Sequence, residues 1–160
     1  MRVHFGCTET APGIWTVYFD DPIFKTPSCW EELKQMSLQY KKVLLLGVFD
    51  WSNYSHTVVA DIIDHKEDFN KYNIGLAAFC PSSFSQIRLI CPDVLSCKSH
   101  WGAEPLMIVL EQGLFKKARA GPINWRLILD WVLNLDEDSS KQKEDKTETK
   151  GSGGNQDTQD

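Results

Sequence analysis

Thiols are the side chains of this sequence best suited to chemistry, because a thiolate is both a nucleophile and a metal ligand. No CxxC pair occurs, so neither a zinc ribbon nor a dithiol redox motif is indicated. Cys91 and Cys97 are close enough along the chain to form a disulfide in an oxidising compartment, although buried free thiols would give the same pattern. The five cysteines are irregularly spaced: Cys7, Cys29, Cys80, Cys91 and Cys97.

Two of these cysteines, Cys80 and Cys91, each precede a proline, which would suit a peroxidatic thiol if a cation lay beside it. Arg88 is near these cysteines in sequence, and the sequence does not place it near them in space. An oxidoreductase or peroxidase using Cys80, Cys91 or Cys97 is therefore the alternative function. Cys97 and His100 together supply half of a metal site, so the sequence predicts no metal and no cofactor.

Composition limits the classes of partner. The net charge is −5, and the segment 136–160 holds eight acidic residues against four lysines, so the rest of the chain is nearly neutral and has no basic field for nucleic acid. No apolar run approaches the length of a membrane span or a signal peptide. The compartment stays open: the endoplasmic reticulum if the chain is a fragment of a secretory-pathway protein, and otherwise the cytoplasm.

Periodicity predicts alternating helices and strands. Ser28 and Glu31 have the spacing of a capping box at the start of a helix. The apolar run 43–49 predicts a strand buried on both faces, and a helix follows it over 58–63. Gln112-Gly113 predicts a hairpin turn, and Gly121-Pro122 precedes the last helix. Further strands are predicted at 74–79, 106–110 and 114–118, and the segment 80–101 shows no clear period.

This order, with three short motifs, resembles the thioredoxin superfamily, including multi-domain proteins of the protein disulfide isomerase type. Phe49-Asp50-Trp51 is similar to the family's strand leading into Trp-Cys-x-x-Cys, and Glu104-Pro105-Leu106 to its cis-proline. Gln112-Gly113 with Gly121 resembles its last hairpin and the glycine before the last helix. The resemblance implies an α/β, thioredoxin-like three-layer sandwich, with a central mixed sheet and helices on both faces.

The expected domain organisation follows from the extent of this similarity. Residues 25–135 would form the thioredoxin-like domain, and residues 1–24 an N-terminal extension with room for an extra strand. The tail 136–160 has no hydrophobic residue with which to offset its ordering entropy, so disorder is predicted for it.

The departures from the family decide the predicted function. The two family cysteines would fall at Ser52 and Ser55, and a serine hydroxyl has no redox couple with a disulfide. Leu46 stands where many active members keep a buried acid. We therefore predict a redox-inactive module that binds protein or peptide, belongs to a larger redox or folding-assistance protein and is not an enzyme.

The resemblance places the binding site in a groove where an extended peptide adds to a free backbone edge. It comprises Trp51, Ser52, Asn53, Tyr54, Ser55, Glu104 and Pro105, with Glu104-Pro105 expected as a cis peptide. Ser52, Asn53 and Ser55 are equally good helix N-caps, so a structural role would account for them. Asn53-Tyr54-Ser55 is also an N-glycosylation sequon, which makes Asn53 a candidate glycan site in the secretory pathway.

Overall fold

The computed structural model describes residues 3–96, 106–121 and 124–134, with the backbone alone at 95 and 96. The chain divides into two units, residues 1–129 and 130–160. The fold is α/β, with a mixed five-stranded sheet, a separate β-hairpin and five α-helices within the described residues. The predicted tail lies outside them, as do Cys97, Glu104 and Pro105. No helix in the described part of the chain is long and apolar enough to cross a membrane.

The N-terminal segment forms a hairpin of two strands, β1 (Phe5–Ala11) and β2 (Ile14–Phe19), where the sequence indicated room for one extra strand. Phe5 pairs with Phe19 and Cys7 with Val17. Directly opposed residues share a face and alternate residues of a strand share it too, so these four side chains line one side of the hairpin. Phe5 and Val17 are buried, which identifies this side as the inner one.

The central sheet contains β3 (Phe24–Lys25), β4 (Lys42–Gly47), β5 (Ile74–Phe79), β6 (Leu106–Glu111) and β7 (Leu114–Ala120). The strand order is β3-β5-β4-β6-β7. β3, β4 and β5 run parallel, whereas β6 and β7 pair antiparallel. Every residue of β4 and β5 is buried, as their unbroken apolar runs predicted.

Four α-helices lie between strands of the described chain: α1 (Trp30–Ser37), α2 (Asn53–Asp64), α3 (Lys66–Lys71) and α4 (Phe84–Ile90). A fifth, α5 (Trp125–Leu133), follows β7. Leu33 of α1 and Ile87 and Ile90 of α4 join the apolar cluster on the sheet side chains of Val43 and Leu45. Leu44 and Leu46 alternate to the opposite face and are also fully buried. The segment 80–101, in which the sequence showed no clear period, contains the helix α4 and then a 3₁₀ turn at Pro92–Ser96.

Two turn predictions have different outcomes. The capping box predicted for Ser28 and Glu31 is wrong, because α1 begins one residue later, with Cys29 at the N-cap. Ser28 donates from its N–H and its hydroxyl to Glu32 Oε1 instead, at 2.8 and 2.9 Å. The hairpin turn is confirmed: Gln112 and Gly113 have φ of 55° and 79°, the left-handed pair of a type I′ turn.

Candidate functional site

The turn between β4 and α2 holds the residues that the sequence singled out. Ser52 is the N-cap of α2, and its Oγ accepts a hydrogen bond from the Ser55 N–H at 3.3 Å. Ser55 Oγ in turn accepts from the Phe49 N–H at 3.0 Å. Both serines are buried, so their hydroxyls fix the turn rather than forming its outer surface. The expected capping role is confirmed for Ser52, whereas the Ser55 hydroxyl holds the Phe49 backbone instead of capping the helix.

Two aromatic side chains are exposed here, one on the turn and one in the first turn of α2. Trp51 is 75% exposed and Tyr54 is 58% exposed. The Trp51 ring leans on Phe49, with the ring centroids 5.1 Å apart. Asn53, the sequon residue, lies exposed between them at the first position of α2. The surface formed by Trp51, Asn53 and Tyr54, which we call the α2 face, is thus open to solvent, and Glu104 and Pro105 fall outside the described residues.

His56 is the buried polar side chain behind this turn. Its Nε2 lies 2.6 Å from the Asp50 backbone oxygen, which can only accept, so Nε2 carries the proton. The imidazole stacks on Phe5 of the hairpin, with centroids 4.4 Å apart. Nδ1 is buried and has no hydrogen-bond partner among the described atoms. His56 therefore connects the turn, the start of α2 and the hairpin.

Asp50 forms a second link to the hairpin. Its Oδ2 accepts a hydrogen bond from the Cys7 backbone N–H at 3.0 Å. Because Cys7 shares the inner face of the hairpin with Phe5, its side chain is directed toward the end of the central sheet. The Cys7 thiol is half-buried there.

The second thiol, Cys80, lies at the end of the central sheet. It directly follows β5, whose last residue, Phe79, accepts a hydrogen bond from the Val48 N–H at 2.9 Å. The Cys80 side chain is only 3% exposed, and the Cys7 thiol is the main influence on its pKa. The end of β4 and the end of β5 thus bring Cys80 beside the Asp50 turn.

The hydrogen bond between the two thiols makes them unequal acids. Donation from Cys7 holds the pKa of Cys80 below that of an ordinary cysteine, against the effect of burial, and the Ser82 hydroxyl and N–H act in the same direction. Interaction with Cys80, followed by burial, raises the pKa of Cys7. Cys7 therefore retains the proton, and Cys80 is the side that becomes a thiolate.

The remaining described cysteines lie elsewhere. Cys29 is a half-buried free thiol at the N-cap of α1, and Cys91 is fully buried after α4. The disulfide considered for Cys91 and Cys97 cannot be located, since Cys97 is outside the described residues. Within the described ranges, no three His, Cys, Asp or Glu side chains cluster in a way that could hold a metal ion.

Sequence reasoning missed the role of Cys7. The two thiols are separated by most of the domain, and no spacing rule connects them. The available signal was local: Phe5 and Cys7 alternate with Gly6 and Thr8, a pattern typical of a half-buried strand. A scan of the chain against models of known protein families finds no match. No curated protein matches it at a significant level either.

Proposed function

We propose that the chain is a thioredoxin-like domain that binds protein or extended peptide on the α2 face, without dithiol exchange at the start of α2. The strand order β3-β5-β4-β6-β7, with the last two strands antiparallel, supports the thioredoxin-like assignment. So does the position of α2, whose N-terminus follows the buried parallel strand β4 after a turn of five residues, 48–52. Helices on both sides of that sheet, as in a three-layer sandwich, belong to the same proposal.

The exposure of Trp51 is the observation that carries the binding function. A tryptophan that leaves three-quarters of its surface in water forgoes the free energy of its burial, about 2 kcal/mol or more. Trp51 is the most exposed large apolar side chain in the described part of the chain. Tyr54 is exposed beside it, and aromatic residues of this kind dominate the energetics of protein interfaces. The proposed partner is an extended segment that covers both rings.

Two further observations favour binding over the thiol enzyme. Ser52 and Ser55 occupy the positions of the family's cysteines and are engaged in holding the turn. Cys80 and Cys91, two of the three thiols of the alternative, are 3% and 0% exposed and so are closed to a protein substrate. Membership of a larger redox or folding-assistance protein, and the endoplasmic reticulum as its compartment, stay part of this proposal.

Fluorescence anisotropy with a labelled, reduced and carboxymethylated lactalbumin tests the proposal, because this probe is an extended chain without thiols. We expect saturable binding, weakened about tenfold or more by Trp51→Ala, as for an interfacial tryptophan. Tyr54→Ala should weaken it less. Tyr72→Ala is the matched control, since Tyr72 is an exposed aromatic residue on α3's C-terminal side.

Binding that Trp51→Ala leaves unchanged, or that Tyr72→Ala weakens equally, would overturn the assignment to the α2 face. The absence of exchange is tested separately by insulin reduction in dithiothreitol, where no rate above background is expected. Turnover that is abolished by Cys80→Ser, Cys91→Ser or Cys97→Ser would support the oxidoreductase instead.

A further inference from the structure

Outside the α2 face, the part of the described chain with the most distinctive chemistry is the contact between Cys7 and Cys80. Two thiols from distant segments each shift the pKa of the other, and Cys7 lies within β1 whereas Cys80 directly follows β5. Cys7 is fixed by the pairing of β1 with β2 and by its N–H bond to Asp50. Cys80 is fixed by the end of β5, where Ser82 N–H closes a tight turn on the Cys80 carbonyl at 2.9 Å.

The hairpin is also anchored at its other end. Ser83 Oγ donates to the Gly13 backbone oxygen at 2.9 Å, and the Trp15 N–H donates to Gln86 Oε1 at 3.2 Å. Attachment at both ends keeps Cys7 over Cys80 without any covalent bond. A disulfide requires Cα atoms within about 7 Å of one another, and attachment of the hairpin at both ends favours that approach.

We propose that Cys7 and Cys80 form a reversible disulfide by exchange with a small-molecule disulfide such as oxidised glutathione. Cys7 is the thiol that solvent reaches, since it is half-buried whereas Cys80 is 3% exposed. The pair is distinct from the positions of Ser52 and Ser55. One of its members, Cys7, belongs to the separate hairpin. The inference stands independently of peptide binding at the α2 face.

The exchange proceeds in two displacements. The pair first loses one proton to solvent, and the charge resides mainly on Cys80. Cys7, the thiol that solvent reaches, reacts from the minor form in which its own proton has moved to Cys80, and Cys7 Sγ then attacks one sulfur of glutathione disulfide. The glutathione S–S bond breaks, the first glutathione thiolate leaves and takes a proton from water, and a mixed disulfide remains on Cys7.

In the second displacement Cys80 returns its proton to solvent, and its thiolate attacks Cys7 Sγ. The bond between Cys7 and glutathione breaks, and the second glutathione thiolate leaves and is protonated. Two thiols have lost two electrons and two protons, and one glutathione disulfide has become two glutathione thiols. Cys80, whose thiolate is favoured, is the resolving member of the pair.

The test is mass spectrometry of the full chain after incubation with oxidised glutathione, followed by digestion without reduction. We expect the protein to lose two hydrogens in mass and to yield one cross-linked pair of peptides that contains Cys7 and Cys80. Reduced glutathione in excess should restore the original mass. Cys29→Ser is the matched control, because it removes another half-buried thiol and should leave the cross-link intact.

The Cys80→Ser variant should instead accumulate a stable glutathione adduct on Cys7, since its resolving thiol is absent. Cys7→Ser, a change on the more exposed partner, should give neither the cross-link nor an adduct on Cys80. A stable adduct on Cys7 of the unaltered chain, a cross-link between other cysteines, or an unchanged mass would each overturn the proposal. None of these outcomes depends on whether lactalbumin binds.

Discussion

The backbone N–H of Cys7 donates to the side chain of Asp50 across 43 residues of sequence, at 3.0 Å. This single bond joins the hairpin to the turn that presents Trp51. Because the same carboxylate stands beside two thiols, Asp50 also opposes ionisation of Cys80. Hairpin attachment, turn geometry and thiol acidity are thereby coupled at one residue.

Replacement of Asp50 by alanine should destabilise the domain by about 1 kcal/mol, the usual value for loss of a hydrogen bond at an accessible position. Asp50→Asn keeps an acceptor oxygen and should lose less. Urea denaturation measures both, with Asp64→Ala as the control on an exposed carboxylate at the far end of α2. Equal stability of Asp50→Ala and Asp64→Ala would show that the bond from Cys7 contributes nothing.

Oxidation of the thiol pair should raise the melting temperature. A disulfide between Cys7 and Cys80 closes a loop of about 70 residues, for which the chain-entropy estimate is roughly 4 kcal/mol, reduced by any strain in the folded state. Calorimetry before and after treatment with oxidised glutathione measures the shift, and Cys7→Ser should show none. A lower melting temperature after cross-linking would mean that the disulfide distorts the folded state by more than it stabilises.

Removal of the Cys7 thiol should make Cys80 a weaker acid. Cys7 donates to the Cys80 sulfur and holds its pKa below the ordinary value, so in Cys7→Ala the thiolate of Cys80 should form at higher pH. The measurement is the ultraviolet absorbance of the thiolate during a pH titration. The Cys80 signal is the difference between each protein and its Cys80→Ser counterpart. A thiolate that appears at the same pH with and without Cys7 would contradict the hydrogen bond.

Asp21 should contribute stability that is lost in acid. Burial alone would raise its pKa, but the Ile23 N–H and the Lys66 ammonium, 2.9 Å away, bring the net pKa below the ordinary value. The folded pKa is thus lower than the unfolded one, so the stabilisation is complete above the unfolded pKa of about 4. It disappears as the pH falls from there through the folded pKa.

Asp21→Asn removes the titrating group, so its free energy of unfolding should fall less steeply in this acid range than that of the unaltered chain. Guanidinium denaturation at a series of pH values compares the two. Lys66 is partly exposed, which limits the ion-pair contribution at neutral pH to at most about 1 kcal/mol. A steeper fall in the variant would show that the carboxylate destabilises the folded state.

Local sequence patterns were enough to predict several elements of the fold. The runs at 43–49 and 74–79 predicted buried strands because no solvent-facing alternation interrupts them, and β4 and β5 lie there. Gln112-Gly113 predicted a turn since glycine and a polar residue tolerate positive φ. α4 was missed although Ser83 and Gln86 have capping-box spacing, and Ser83 Oγ does accept from the Gln86 N–H.

The candidate site was predictable only in part. Trp51 and Tyr54 could be located from their place after a buried strand, but their exposure depends on how Phe49 and Ser55 turn the chain. The meeting of Cys7 with Cys80 needs the hairpin, the end of β5 and the Asp50 turn together. No segment of sequence contains that information by itself.

The hairpin has a dynamic consequence that follows from its size. A two-stranded ribbon is barely stable alone in water, so β1 and β2 stay ordered through their anchors at Asp50, Ser83 and Gln86. Transient release of these anchors would swing Phe5 and Cys7 outward while the central sheet stays folded. Amide hydrogen exchange in β1 and the access of solvent to Cys80 are then set by one local opening equilibrium, and the disulfide would close that opening.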